Sequence, residues 1–444
     1  MGTINNFGNV LLPAGSNTID VQSLLSSVEA ANEIPLQLLQ QQQSTIQTQS
    51  STLTSIENDI NNLATAVNAL SDTNGSINSL TATSSDPNLV TATADPTASS
   101  GTHTIVVNSL ATTSSYYTDA FDPTATIANG SFQIAVGNNA PVTVTVDSTD
   151  NTLSGLAAAI NGQNIGVTAS VISDASGSRL ALVSNTSGAA GNITVSNNTT
   201  SLNFNAAATG ADASLTVDGV PIDSSSNTIS TVIPGVTLNL VGAAPGTNVT
   251  LTLSPDANQA TTAVNQFVSA WNTVINDLNG QFNVASDGTG GGPLEADNTL
   301  RGVQDQLLSA ITTSISGNNG FVNLASIGVN MNTDGTLSVD SGALSNALNN
   351  NFSNVQSLLQ GASGVATFLT STLNQITDPT QGSITLDLQG MSQQNQDLTQ
   401  QINTMQAQLT SQDQQLVAQY AQMQNTLDEM PMLQSQLTQQ LAAL

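Results

Sequence analysis

Residues 51–70 read STLTSIENDINNLATAVNAL, and Leu53, Ile56, Ile60, Leu63, Val67 and Leu70 recur there at steps of three and four. That spacing draws one apolar stripe along a helix, the a/d seam of a coiled coil over nearly three heptads. Leu36, Leu39 and Ile46 continue it weakly upstream through the glutamine run at 40–43. Pro35 fits the first turn of such a helix better than its interior. Asn74-Gly75 reads as the stop.

The other end of the chain repeats the pattern at greater length. Leu398, Ile402, Met405, Leu409, Leu416, Tyr420, Met423, Leu427 and Met430 form a second stripe, with Gln412 filling one seam position. The doubled step of four through Leu416 and Tyr420 is a stutter, which relaxes left-handed supercoiling. Pro431 is expected to kink or end the helix, since it lacks a donor and clashes with the preceding turn. A helix over 391–429 is roughly 58 Å long, a rod and not the core helix of a compact domain. Amphipathic rods need partners. The two ends therefore pair with each other, with further copies of the chain, or with both.

Between the ends the period changes. Residues 104–110, 132–136, 142–146, 167–172, 179–184, 215–217, 236–241 and 249–253 are Val-, Ile- and Thr-rich and read as strands. Asp218-Gly219 and Ala175-Ser176-Gly177 are turn signals among them. One helix interrupts the strands through Leu153, Leu156, Ala157 and Ile160, ending near Gly162, and residues 203–213 read as a linker. Helix returns after Pro255. Val264, Phe267, Val268, Trp271, Val274, Ile275 and Leu278 share one face, with Gly280 as stop. Leu300, Val303, Leu307, Ile311 and Ile315 mark a second helix, stopped by Gly317. A strand pair around Asp334-Gly335 and short helical pieces near 344–348 and 355–359 follow. The expected class is α+β: long terminal coiled-coil helices and a helical domain flank an inserted, mostly antiparallel, β-rich head of two domains.

Composition narrows the function. The 444 residues hold 30 Asp+Glu against 2 Lys+Arg, for a net charge of -28, with one His and no Cys. Such a charge repels phosphate backbones and anionic lipid, which argues against nucleic-acid binding and electrostatic membrane docking. No run of eighteen apolar residues is present to insert into a membrane as a helix. Disulfides, thiol nucleophiles and thiolate metal sites are excluded. The first basic residue is Arg179, so no basic n-region opens a cleavable secretory signal. With so few cations, most carboxylates are expected to be solvated or bonded to backbone at caps and turns.

Candidate sites are few. Asn330, Asn332, Asp334 and Gly335 resemble the start of a calcium loop, but Ser341 stands where a bidentate Glu is needed. A β-turn is the better reading. The glycine run at 288–292 lacks a following Lys and reads as a loop. His103 begins a strand as an edge residue, and Trp271 reads as core. No carboxylate pair at hydrolase spacing stands out. The sequence calls for no catalytic residue, no metal and no cofactor.

Several blocks resemble the flagellar hook-associated protein 2 family, the flagellar filament cap. They are Ile19-Asp20-Val21-Gln22-Ser23-Leu24-Leu25 with Ala30-Ala31 and Pro35, and Thr104-Ile105-Val106-Val107 to Leu110-Ala111. Leu153-Ser154-Gly155-Leu156-Ala157 with Gly166-Val167-Thr168 and Arg179-Leu180-Ala181-Leu182 is similar to a repeat shared by flagellins and caps. Leu215-Thr216-Val217-Asp218-Gly219 to Ile233-Pro234-Gly235-Val236 is the most specific block; Gly292-Pro293-Leu294 and Ile327-Gly328-Val329 also match. Asn32-Glu33 departs from the family's Glu-Arg, and the C-terminal seam carries Gln where relatives carry charge. Inter-subunit salt bridges are therefore not carried over, while the apolar seam is.

The resemblance implies a non-enzymatic cap at the distal end of the filament. There, a plate of about five or six copies keeps flagellin from escaping and promotes its folding and polymerisation. It implies flagellin, further copies of the chain, the flagellar export apparatus and an export chaperone as partners, and export without a cleaved signal. It implies a nested order: an N-terminal leg at 1–44, helical domain at 45–81, outer β domain at 82–117, inner β domain at 118–211, outer β domain again at 212–256, helical domain again at 257–390 and C-terminal leg at 391–444. The assembly seam is assigned to Leu53, Ile56, Ile60, Leu63, Val67, Leu70, Leu398, Ile402, Met405, Leu409, Leu416, Tyr420, Met423 and Leu427. The alternative is a β-rich surface adhesin on a coiled-coil stalk. A polysaccharide-cleaving enzyme is a third reading, which needs clustered carboxylates or metal ligands.

Overall fold

The structure, a computed structural model, describes residues 21–122, 124–283 and 290–441. Ile19 and Asp20, the part of the N-terminal leg at 1–20, and Gly288 and Thr289 of the glycine run lie outside the described residues. Helix α1 (Val21–Ser71) is followed by β1 (Leu80–Ser84), β2 (Val90–Ala94) and β3 (Gly101–Ser109). Then come β4 (Thr113–Thr118), β5 (Gly130–Val136), β6 (Val142–Val146), α2 (Leu153–Gly162), β7 (Val167–Asp174), β8 (Gly177–Ser187), β9 (Ile193–Ser196) and β10 (Phe204–Ala208). The chain next forms β11 (Ala213–Val217), β12 (Val220–Ser224), β13 (Thr228–Ile233), β14 (Val236–Leu240) and β15 (Val249–Pro255). Last come α3 (Ala257–Phe282), α4 (Asn298–Ile311), β16 (Val329–Met331), β17 (Leu337–Val339), α5 (Ser341–Asn350), α6 (Phe352–Gln360), α7 (Val365–Thr377) and α8 (Ser383–Leu441). This is the α+β architecture expected, with long helices at both ends of a β-rich centre.

The strands divide into an outer and an inner set. A five-stranded sheet, ordered β1-β15-β3-β11-β12, faces a three-stranded one, β13-β14-β2. Ile105, Val107, Leu215, Leu251, Val236 and Leu238 fill the core between them. In β15 the buried Val249, Leu251 and Leu253 alternate with Thr250 and Thr252, the period of a strand with one wet face. Asp218 and Gly219, at φ 52° and 80°, link paired Val217 and Val220 in a two-residue hairpin. Two successive positive φ values match strand twist, and Asp-Gly suits them. The inner set has sheets β10-β4-β8-β7 and β6-β5-β9. With α2 they enclose Phe132, Ile134, Leu156, Ile160, Leu180 and Leu182. Thr152 caps α2, its Oγ1 accepting from the Gly155 N–H at 3.1 Å.

A third core belongs to the helices. Leu53 through Leu70 of α1 pack with Val264, Phe267, Trp271 and Leu278 of α3, Leu300 and Leu307 of α4, Leu369 and Leu373 of α7, and Ile384 and Met391 of α8. The fully buried Trp271 donates its Nε1–H to the Gly335 carbonyl at 2.9 Å, and Asn272 bonds both polar groups of the Leu337 backbone. These bonds pin the β16–β17 hairpin to α3. Asp256 caps α3 by accepting from the Asn258 and Gln259 N–H groups.

The structure corrects several local expectations. Pro35 lies inside α1 and Pro431 inside α8, which continues to Leu441. Both prolines are exposed, as is Ala31, so water can satisfy the carbonyl that Pro35 leaves free. Helix α3 runs through Gly280 to Phe282. Helix α4 stops at Ile311, because the Thr312 hydroxyl bonds back to the Leu308 and Ser309 carbonyls and the Ile315 N–H turns to the Val322 carbonyl. The expected linker at 203–213 contains β10, a short edge strand against β4 with a register shift between Ala206 and Ala208. Its anchor is Phe204, tilted against Phe132 with ring centroids 4.8 Å apart. Helix α7 and strands β1, β2, β4, β9, β12 and β13 were not expected.

Candidate assembly surfaces

Helices α1 and α8 lie antiparallel, and two side-chain bonds give their register. Gln43 Nε2 donates to Thr399 Oγ1 at 2.7 Å, and Gln47 Nε2 to Asn395 Oδ1 at 3.4 Å. A step of four along α1 is matched by a step of four back along α8. Carried toward the N-terminus, the register sets Glu29 opposite Asp413, whose charge does act on Glu29. The seam thus joins apolar stripes with amide and hydroxyl bonds where salt bridges commonly sit in coiled coils.

The two stripes have different surroundings. Leu53, Ile56, Ile60, Leu63, Val67 and Leu70 are buried in the helical core, covered by helices of the same chain. On α8, exposure rises along the helix. Ile402 and Leu409 are 7% and 9% exposed, and Leu398, Met405, Leu416 and Tyr420 are half-buried. Met423, Leu427 and Met430 reach 40%, 44% and 58%. Carried on, the register brings the described part of α1 level with α8 only as far as about residue 421, so α8 beyond that point has no partner from α1 among the described residues. The sequence reading missed the start of this seam. Ile384, Leu388 and Met391 precede Leu398 at heptad spacing and pack on the body core; extending the repeat backwards finds them.

Charges sit elsewhere. Two ion pairs occur among the described residues: His103 Nδ1 with Asp218 Oδ2 at 2.8 Å, and Arg179 Nε with Asp174 Oδ2 at 3.8 Å. Arg301 donates to the Glu295 carbonyl at 2.7 Å and lies 4.1 Å over the Phe282 ring. Many aspartates close turns instead. Asp122, Asp147, Asp334 and Asp378 each accept from the hydroxyl and the N–H of a threonine two residues on, and these bonds hold the carboxyls below their usual range. Asn203 and Asn205 do the same for Asp119, and His103 for Asp218. The Asn330–Gly335 segment is a hairpin turn: Asp334 Oδ1 serves Thr336, and the Asp334 carbonyl accepts from Asn279. Three carboxyls go the other way. Burial, reinforced by Asp297, pushes Asp387 up to about 6; burial and Asp59 raise Asp277; burial, Asp413 and Glu33 raise Glu29.

A leg of paired helices, a helical body and an inserted β head, with apolar surface left at the leg's end, define a protein that works by assembly. Family models place it. Flagellar hook-associated protein 2 N-terminus matches residues 17–114, its C-terminus matches 210–432, and Flagellin hook IN motif matches 131–186. The B-type flagellar hook-associated protein 2 of Pseudomonas aeruginosa is 34% identical over 79% of this chain and 80% of its own length. The flagellar hook-associated protein 2 of Escherichia coli K12 is 29% identical over 77% and 79%. The solved D1-D2-D3 domains of the flagellar cap protein of Escherichia coli superpose with a TM-score of 0.59 at 29% identity, covering 77% of this chain and 99% of that one. The chain belongs to the flagellar hook-associated protein 2 family and is a structural cap protein of the bacterial flagellum. Nothing in these matches favours the adhesin reading.

Proposed function

We propose that copies of this chain close into a ring of about five or six at the filament tip. The β heads form the plate, and the legs, 1–44 with 391–444, reach down to flagellin. The plate retains arriving flagellin while it folds and inserts. The chain acts by confinement and exchange of interfaces, without covalent chemistry. It reaches the tip by the flagellar export route, with the export apparatus and its chaperone as earlier partners. The divisions 45–81 with 257–390, 82–117 with 212–256, and 118–211 are proposed as separately folding units, one to each of the three cores, with the outer–inner boundary moved back so that β4, which pairs with β8 and β10, falls in the inner unit.

The observation that carries this reading is the gradient along α8. The seam is closed by α1 near the body and open at its far end, where Met423, Leu427 and Met430 offer apolar surface to a neighbour. The first stripe, Leu53 to Leu70, then acts as the anchor that holds the leg to the body, and the second as the assembling face. A strain lacking the gene is expected to shed monomeric flagellin into the medium and to lose motility. Filaments of ordinary length on that strain would refute the proposal.

A further inference from the structure

Helix α8 meets the helical body at a carboxyl facing a carboxyl. Asp297 caps α4 with Oδ1, which accepts from the Leu300 N–H at 3.0 Å. Its Oδ2 is buried with no hydrogen-bond partner, and so is Oδ2 of Asp387 on α8. The two side chains lie within hydrogen-bonding reach of each other. Ionised carboxylates only accept, so neither can serve the other unless one carries a proton. A single shared proton satisfies both orphan oxygens at once; with none, two acceptors face each other in partial burial.

No cation relieves this contact. Helix α8 packs on α1, α4 and α7. Helix α7 carries no titratable side chain, α1 carries Glu29, Glu33, Glu57 and Asp59, and α4 adds Arg301 and Asp305. Arg301 is engaged by the Glu295 carbonyl and the Phe282 ring, and the Glu295 carboxylate accepts from the Gly291 N–H. Asp59 of α1 is turned to Asp277 of α3 in a second pair of the same kind.

We propose that α8 is seated on the body by a proton latch: one proton shared between Asp297 and Asp387 holds the helix down, and its loss loosens the first turns of α8. The latch is closed in mildly acidic solution and opens toward neutrality. It stands on this contact alone and does not depend on the capping reading. The carboxyl of Asp387, about 6 when folded against 3.8 when free, favours the seated state fully below 3.8. That contribution disappears as pH rises through 6.

Hydrogen exchange of the full chain, read by mass spectrometry on peptides covering 384–391 and corrected for intrinsic rates, tests it. Between pH 5 and pH 7.5 protection there is expected to fall by up to roughly tenfold, because only the last pH unit below the folded value of about 6 falls inside this window and the rest of the ~100-fold shift lies below pH 5. Asp387→Asn is expected to abolish the pH dependence and keep protection high. Asp297→Asn is expected to do the same, since Asn still caps α4. Amides of β3 in the head serve as control and should not change over this range. A flat wild-type profile, variants that keep the wild-type fall, or an equal fall in β3 would each overturn the latch.

Discussion

In the head, Asp122 and Asp147 each close a turn by accepting from a threonine two residues on, whereas Asp387 and Asp277 in the helical body meet another carboxyl across a helix contact. The body keeps the turn device where its chain reverses, at Asp334 and Asp378. Both regions lack cations. A turn supplies backbone and hydroxyl donors, so a carboxylate there stays ionised without a partner charge. A helix contact supplies no spare donors, because its N–H groups are spent on the helix, so burial and the facing carboxyl push a carboxyl there up. Secondary structure therefore decides the sign of each shift. The same difference appears in the seams: strands of the head close within two sheet pairs, while the long helices leave apolar surface over at one end.

The largest test of this division is Trp271→Ala. Emptying that site costs the body about 3–5 kcal/mol. Helix unfolding by denaturant, followed by circular dichroism, should shift to lower concentration while exchange of β3 and β15 amides stays put. Loss of head protection in step would mean that the regions form one cooperative unit.

Leu409→Asp combined with Leu416→Asp comes next. Each carboxylate in the seam costs roughly 1–3 kcal/mol of α1–α8 pairing. Tip assembly is expected to disappear, with both head and body still folded, since α8 leaves the body core after Met391. Normal capping by the double variant would exclude this stripe as an interface.

Acid should separate the regions further. Depressed carboxyls such as Asp119, Asp122, Asp147 and Asp218 stabilise the head above about pH 4, and that support is lost as pH falls below it. The raised Asp387 acts oppositely, favouring the body as pH drops from 7 through 6. Thermal melts of residues 82–256 alone should hold steady from pH 7 to about 4.5 and decline below it. The α8 contact of the whole chain should strengthen over the first interval. A head that weakens already at pH 6 would contradict the assignment.

Smaller effects probe the joints. Asp256→Ala removes the cap of α3 where the chain leaves β15 and should cost about 1 kcal/mol, seen as a lower melting temperature of the body. His103→Ala breaks a surface pair and should cost the head no more than about 0.5 kcal/mol. A loss of several kcal/mol from His103→Ala would give that pair a structural weight its exposure does not suggest.

The helices with long stripes and the strands with clean alternation were legible, because periodicity survives any packing that buries one face. Elements with short or mixed patterns were not. Helix α7 and strand β10 exist because Leu369 and Phe204 meet cores assembled from distant chain. Pro35 was misread, and α8 does not end at Pro431, because propensity assigns both prolines a cost, and only exposure shows that water offsets it.

By itself, the sequence determined the period of every long element, the lack of cationic partners and the resemblance that names the family. Tertiary structure alone decided which stripe is consumed inside the chain and which is left open. Leu53 to Leu70 and Leu398 to Leu427 carry the same heptad signal, and nothing in their spacing distinguishes them. What distinguishes them is that α3 and α7 cover the first, while Met423 and Leu427 at the end of the second stay exposed. The carboxyl pairs follow the same rule. Asp297 and Asp387 are ninety positions apart in the chain, and only the docking of α8 on α4 makes them share a proton.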